Sequence, residues 1–169
     1  MSDLYSEKAA YLSDDGLYRY DLTRQWAVGS DKLTFIMLNP STADAFVDDA
    51  TIHRCIGFAQ REGLSGLRVV NLFGFRASKP SALVAAEDPV GPGNELSIDL
   101  ALQFAAHCGT PVVAAWGAWR HPAFDAKIPN VRLMANMYRM PLHCLGTTQA
   151  GHPRHPLYVR ADQPLEEWS

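Results

Sequence analysis

Residues 33–38 read Leu-Thr-Phe-Ile-Met-Leu, and the chain then breaks into Asn-Pro-Ser-Thr-Ala-Asp. Three further apolar runs follow at residues 67–73 (LRVVNLF), 111–116 (PVVAAW) and 142–145 (LHCL). Short unbroken runs rich in Val, Ile, Leu and aromatics predict buried strands rather than strands with one wet face. Residues 16–26, GLYRYDLTRQW, instead alternate imperfectly with period two, and predict an edge strand or hairpin at about 16–27.

Helical spacing lies between these runs. Ile52, Cys55, Ile56 and Ala59 recur at i, i+3, i+4 and i+7, with Asp48 or Asp49 available as N-cap and Gly63 as the stop. A second helix begins after Asn94, where Leu96, Leu100 and Phe104 form one stripe and Ile98, Leu102 and Ala105 another, so that it is expected to be covered on most sides. A third is expected over about 131–140.

Strands alternating with helices imply right-handed crossovers. The expected fold is a three-layer α/β/α sandwich with a mostly parallel central sheet. The densest Pro/Gly stretch, EDPVGPGNE at residues 87–95, is too short to divide domains, so residues 1–169 read as one domain.

Composition narrows the function classes. With 47% hydrophobic and 20% charged residues and no apolar run near the roughly 20 residues of a membrane helix, no membrane partner is expected. The N-terminus lacks the basic and apolar regions of a secretory leader, which points to the cytoplasm. A net charge of −3 disfavours coating nucleic acid through bulk electrostatics. Three cysteines at wide spacing predict reduced core thiols, and histidines scattered outside any ligand motif predict neither a metal nor a cofactor.

The unusual chemistry follows the strands. In a parallel sheet, ligands bind beyond the carboxyl ends, where loops and helix N-termini converge. After the first run come Asn39, Pro40, Ser41, Thr42 and Asp44. Asn39 offers a donor and an acceptor and never titrates, so it can hold a water or a base edge. Pro40 sharpens the exit from the strand, while Ser41 and Thr42 cap the next segment or contact phosphate; a plain capped turn accounts for the same residues. Of the neighbouring Asp48 and Asp49, one is expected to cap the helix and the other to pair with Arg54 or a remote cation.

The second run ends in Asn71, Phe73 and Arg76, and the third in Trp116 and Gly117. Phe73 and Trp116 are either core or stacking surfaces for a base. The last loop, Gly-His-Pro-Arg-His-Pro, sets His152 and His155 on a stiff backbone with Arg154 between them. Either imidazole can donate to a developing anion or move a proton, and Arg154 can clamp phosphate.

Together, MLNPSTAD, DDATIHRC, VVNLFGFRAS, PVGPGNE, AAWG and GHPRHPLY resemble the DUF1643 family of bacterial and phage proteins, over nearly the whole chain. More distantly, a strand ending in Asn-Pro, an Asn-bearing second loop, a Gly after the third strand and a late His-Pro loop are similar to the uracil-DNA glycosylase superfamily. That resemblance implies a glycosylase-like fold in which Asn39 holds the attacking water and Asn71 reads the base. It implies that His152, or His155 in the competing alignment, steadies the leaving base. Met37-Leu38 ahead of Asn39, and Arg154 in place of a small residue, depart from its pattern.

The leading expectation is a hydrolase of N-glycosyl bonds acting on a nucleobase-containing small molecule or nucleic acid. The alternative is a non-catalytic nucleic-acid or nucleotide binder using Arg76, Lys79, Arg120 and Arg154. A third class, a hydrolase built on Ser41 with Asp44 and a histidine, lacks a surrounding GxSxG elbow.

Overall fold

All four apolar runs lie side by side at the centre of one sheet. In the computed structural model, which describes residues 5–169, the strands are β1 (Glu7–Leu12), β2 (Arg19–Gln25), β3 (Lys32–Met37), β4 (Gly66–Asn71), β5 (Val112–Ala114), β6 (Leu142–Cys144) and β7 (Glu166–Glu167). The helices are α1 (Ala50–Arg61), the short α2 (Ser81–Ala85), α3 (Asn94–Cys108) and α4 (Pro122–Met137). The first four residues of the segment read for a secretory leader lie outside the described residues.

The sheet has seven strands in the order β1-β2-β4-β3-β5-β6-β7. Its centre, β4-β3-β5-β6, is parallel. β1 with β2, β2 with β4, and β6 with β7 are antiparallel. The expectation of a mostly parallel, glycosylase-like sheet is therefore corrected: the sheet is mixed, and antiparallel pairing supplies half of its neighbouring strands. The cause is at the two ends. β1 and β2 are joined by a tight turn, which permits only antiparallel pairing, and the C-terminal strand doubles back on β6.

Period-two alternation sorts the central strands between two cores. Leu33, Phe35, Leu67, Val69 and Val113 point to α1, which contributes Ile52, Cys55, Phe58 and Ala59. Ile36, Val70, Val112 and Ala114 point to the opposite core, where α3 supplies Ile98 and Leu102 and α4 supplies Phe124 and Val131. Coverage of both faces is why these strands read as unbroken apolar runs.

α1 starts where Asp49 accepts the N–H of Ile52 at 2.9 Å. Asp48 takes the other expected role with a remote cation, pairing with the buried Arg24 at 2.7 Å rather than with Arg54. α3 is less covered than its two stripes suggest, since Leu96 and Leu100 are exposed. α4 begins nine residues before the expected start, with His121 as cap and Pro122 in its first turn.

Candidate active-site cleft

β3 lies between β4 and β5, so the connections leaving β3 and β4 depart in opposite directions across the sheet. Such a switch leaves a crevice at the strand ends. A cavity of about 620 Å³ occupies it. That volume falls within the range of small-molecule sites.

Asn71, the last residue of β4, lines the cavity at 1% exposure, and neither Nδ2 nor Oδ1 of its side chain has a hydrogen-bond partner among the described residues. An unpaired buried amide costs on the order of 1–3 kcal/mol, so such groups commonly mark a place where a ligand completes the bonding. Trp116 lines the same cavity, and its indole Nε1–H is likewise buried without a partner among the described residues. Asn39 reaches the same space. Its Nδ2 donates to the carbonyls of Ala77 (2.8 Å) and Pro40 (3.0 Å), which fixes the side chain and leaves Oδ1 as its acceptor.

The late loop comes to the same cavity through specific ties. Gly117, in the left-handed region at φ 74°, donates its N–H to the carbonyl of Pro153 at 2.9 Å. A Cβ at Gly117 would lie 3.6 Å from that of His155. From the other side Arg54 of α1 donates to the carbonyls of Pro156 and Val159. His155 caps the one-turn 3-10 helix Pro156–Tyr158, its Nδ1 accepting the N–H of Leu157 at 3.2 Å. This bond places the proton of the neutral ring on Nε2, leaving a donor for a ligand. Burial lowers the His155 pKa below the ordinary imidazole value, with the charge of Asp49 opposing the shift.

The expected site residues divide as follows. Asn39, Ser41, Asn71, Trp116, Gly117, Arg154 and His155 line the cavity. His152 does not: its ring tilts against Phe124 at 5.6 Å and its backbone is bonded to Thr148. Asp44 is also elsewhere, its carboxylate closing a turn on the N–H groups of Phe46 (2.8 Å) and Val47 (2.9 Å), and these bonds hold its pKa below the usual carboxylate value. Pro40 is buried behind the wall, and Phe73 is a core residue in edge contact with Trp119. Thr42 and Arg76 line a neighbouring recess, where Arg76 donates to the carbonyls of Ser41 and Gly16. Ser41 is bonded to neither Asp44 nor a histidine, so no Ser-His-Asp relay is assembled.

Two cavity residues escaped the sequence reading as chemistry. Asp49 is expected from the sequence only as a helix cap or as the partner of a cation, yet it lines the cavity. Arg19, at 2% exposure, gives one side-chain hydrogen bond, to the carbonyl of Ala43 at 2.8 Å, and its Nε is buried without a partner. Burial pulls its pKa down to about 10, with Asp49 opposing.

Fold and cavity together define an α/β domain with a ligand-sized cleft at the carboxyl ends of its central parallel strands. The chain belongs to the family described as Protein of unknown function (DUF1643), whose model matches residues 19–157. Comparison with curated proteins and with solved structures returns no match. Among the described residues, no helix is long and apolar enough to cross a membrane.

Proposed function

We propose that this cleft binds a nucleobase-bearing compound and hydrolyses its N-glycosidic bond. The carrying observation is Asn71, which lines a cavity of nucleoside size and whose amide supplies one donor and one acceptor side by side, both buried and without a partner among the described residues. A carboxamide of that kind complements the paired donor and acceptor edge of a base. Trp116 and Trp119 give the cavity aromatic walls suited to a flat ring.

The remaining groups suit the bond-breaking step. Oδ1 of Asn39 orients a water, and Nε2–H of His155 donates to charge developing on the departing base. With Nδ1 already accepting from Leu157, His155 acts as a neutral donor rather than as a base. The experiment is base release, read by chromatography, from a panel of nucleosides, nucleoside monophosphates and modified-base DNA. The wild type is expected to release a base and Asn71→Leu, which removes both polar atoms at similar volume, is expected not to. A folded wild type that releases no base from any of them would overturn the proposal.

A further inference from the structure

Proline follows histidine at three points in the chain, and two of these pairs start helices beside the cleft. His121 caps α4 and His155 caps the turn Pro156–Tyr158, each with proline as the next residue. In both, Nδ1 accepts the N–H two residues on, from Ala123 at 3.2 Å and from Leu157 at 3.2 Å. Each ring also rests on an aromatic neighbour. His121 stacks on Trp119 with ring centres 5.0 Å apart and planes 11° apart, and His155 tilts against Tyr158 at 5.6 Å. Trp119, His155 and Tyr158 all line the cavity. The hydrogen bond from Gly117 to Pro153 ties the two segments together, so both caps brace one stretch of wall.

An imidazole differs from other caps in one respect. Asparagine or serine accepts at any pH, whereas Nδ1 accepts only while it carries no proton. Protonation turns the acceptor into a donor aimed at another donor, and at α4 it places positive charge where the helix dipole already opposes it. Turning the His121 ring over preserves the stack on Trp119 but puts Cδ2 in place of the acceptor. The cap is lost either way.

The surroundings of the two rings differ. Burial disfavours the proton on His155 and outweighs the field of the Asp49 carboxylate at the start of α1, which favours it. Arg54 of α1, bonded to the carbonyl of Pro156, and Arg154 of the same loop add positive charge nearby. His121 packs on Trp119, which in turn meets Phe73 and Phe124, and the charged residues of its own segment are Arg120 and Asp125. Among the described residues neither ring takes part in an ion pair.

We infer that His121 and His155 form a proton-operated latch on the cleft: neutral rings cap both turns and hold Trp119 and Tyr158 as wall, and protonated rings release them and open the cavity. The latch is shut above the imidazole range and opens as pH falls through the pKa of each ring, at His155 only below the value of a free imidazole. It acts on whatever compound the cavity holds and does not depend on the reaction proposed above.

Amide hydrogen exchange and ¹⁹F NMR on the full chain, between about pH 8 and pH 5, test the latch directly. The amides of Ala123 and Leu157 are expected to lose protection by about 5-fold or more on acidification, the worth of a cap. Those of Val69 and Val113, buried in central strands, are expected to keep theirs. In protein carrying 5-fluorotryptophan, the Trp119 signal, assigned by its loss in Trp119→Phe, is expected to move toward its solvent-exposed position in step with Ala123. His121→Asn, whose carboxamide caps without titrating, is expected to abolish the pH response of Ala123 and Trp119 and to leave that of Leu157. His155→Asn is expected to do the reverse. The imidazole Cε1–H resonances of the wild type report the titration of each ring without any substitution. Caps that keep their protection when both rings are protonated, a Trp119 signal that still moves in His121→Asn, or loss of protection at Val69 and Val113 together with the caps would overturn the inference.

Discussion

Asn94 donates its side-chain amide to the backbone carbonyl of Asn71 at 2.9 Å and to that of Leu72 at 3.1 Å, so the first residue of α3 holds the end of β4. The backbone carrying the unpaired Asn71 amide is thereby anchored from the side opposite α1. Asn94→Ala removes both donors and leaves two buried carbonyls short of partners. The expected cost is about 1–3 kcal/mol in urea unfolding, together with weaker ligand binding although residue 94 does not line the cavity.

Arg24 and Asp48 form a pair that is almost wholly enclosed, and Arg24 also donates to the carbonyls of Thr23, Ala9 and Asp44. This joins the N-terminal hairpin to the loop that delivers Asp49. Asp48→Ala strands a buried guanidinium and is expected to cost roughly 3–5 kcal/mol by chemical denaturation. An apolar double replacement at positions 24 and 48 is expected to cost less.

Asp44 and Asp49 provide an internal control. Asparagine can replace aspartate both in a side-chain turn and at an N-cap, so neither Asp44→Asn nor Asp49→Asn removes local structure. Base release measured in parallel is expected to fall on the order of 100-fold or more for Asp49→Asn and to stay near wild type for Asp44→Asn. Equal effects in the two variants would contradict the separation of turn from cavity.

Much of the architecture could be read because burial was symmetrical. The four central strands are apolar on both faces, and α1 shows its cap at Asp49 and its stripe at Ile52, Cys55, Ile56 and Ala59. The edges lacked that signal. β1 carries charged and half-exposed residues, and β7 is two exposed glutamates held by pairing with β6. Pro122 and Pro129 give the first half of α4 the look of a loop.

At the site, a polar loop after each strand predicted convergence, and Asn39, Asn71 and His155 do line one cavity. Which histidine and which aspartate enter it depended on tertiary contacts: Thr148 and Phe124 hold His152, and Phe46 and Val47 occupy Asp44. Arg19 gave no local signal, since its burial comes from the loop at Ala43.

His155 predicts a pH dependence of stability. Its folded-state pKa lies below the unfolded value of about 6.5, so the unfolded chain takes up the proton first. The contribution is present above the unfolded pKa and is lost as pH falls through it toward the folded value. Replacing His155 with Gln is expected to flatten the acid limb of a plot of unfolding free energy against pH. An unchanged acid limb would show that the ring is not held neutral.

The most direct measurement follows the side-chain amide of Asn71 itself. In ¹⁵N-labelled protein its NH₂ resonances are assigned by their loss in Asn71→Leu and then followed during titration with nucleosides and free bases. A ligand that completes the amide is predicted to shift both proton resonances strongly and to slow their exchange with water. Nucleoside binding that leaves these resonances in place, or no binding by any base at all, would contradict the account.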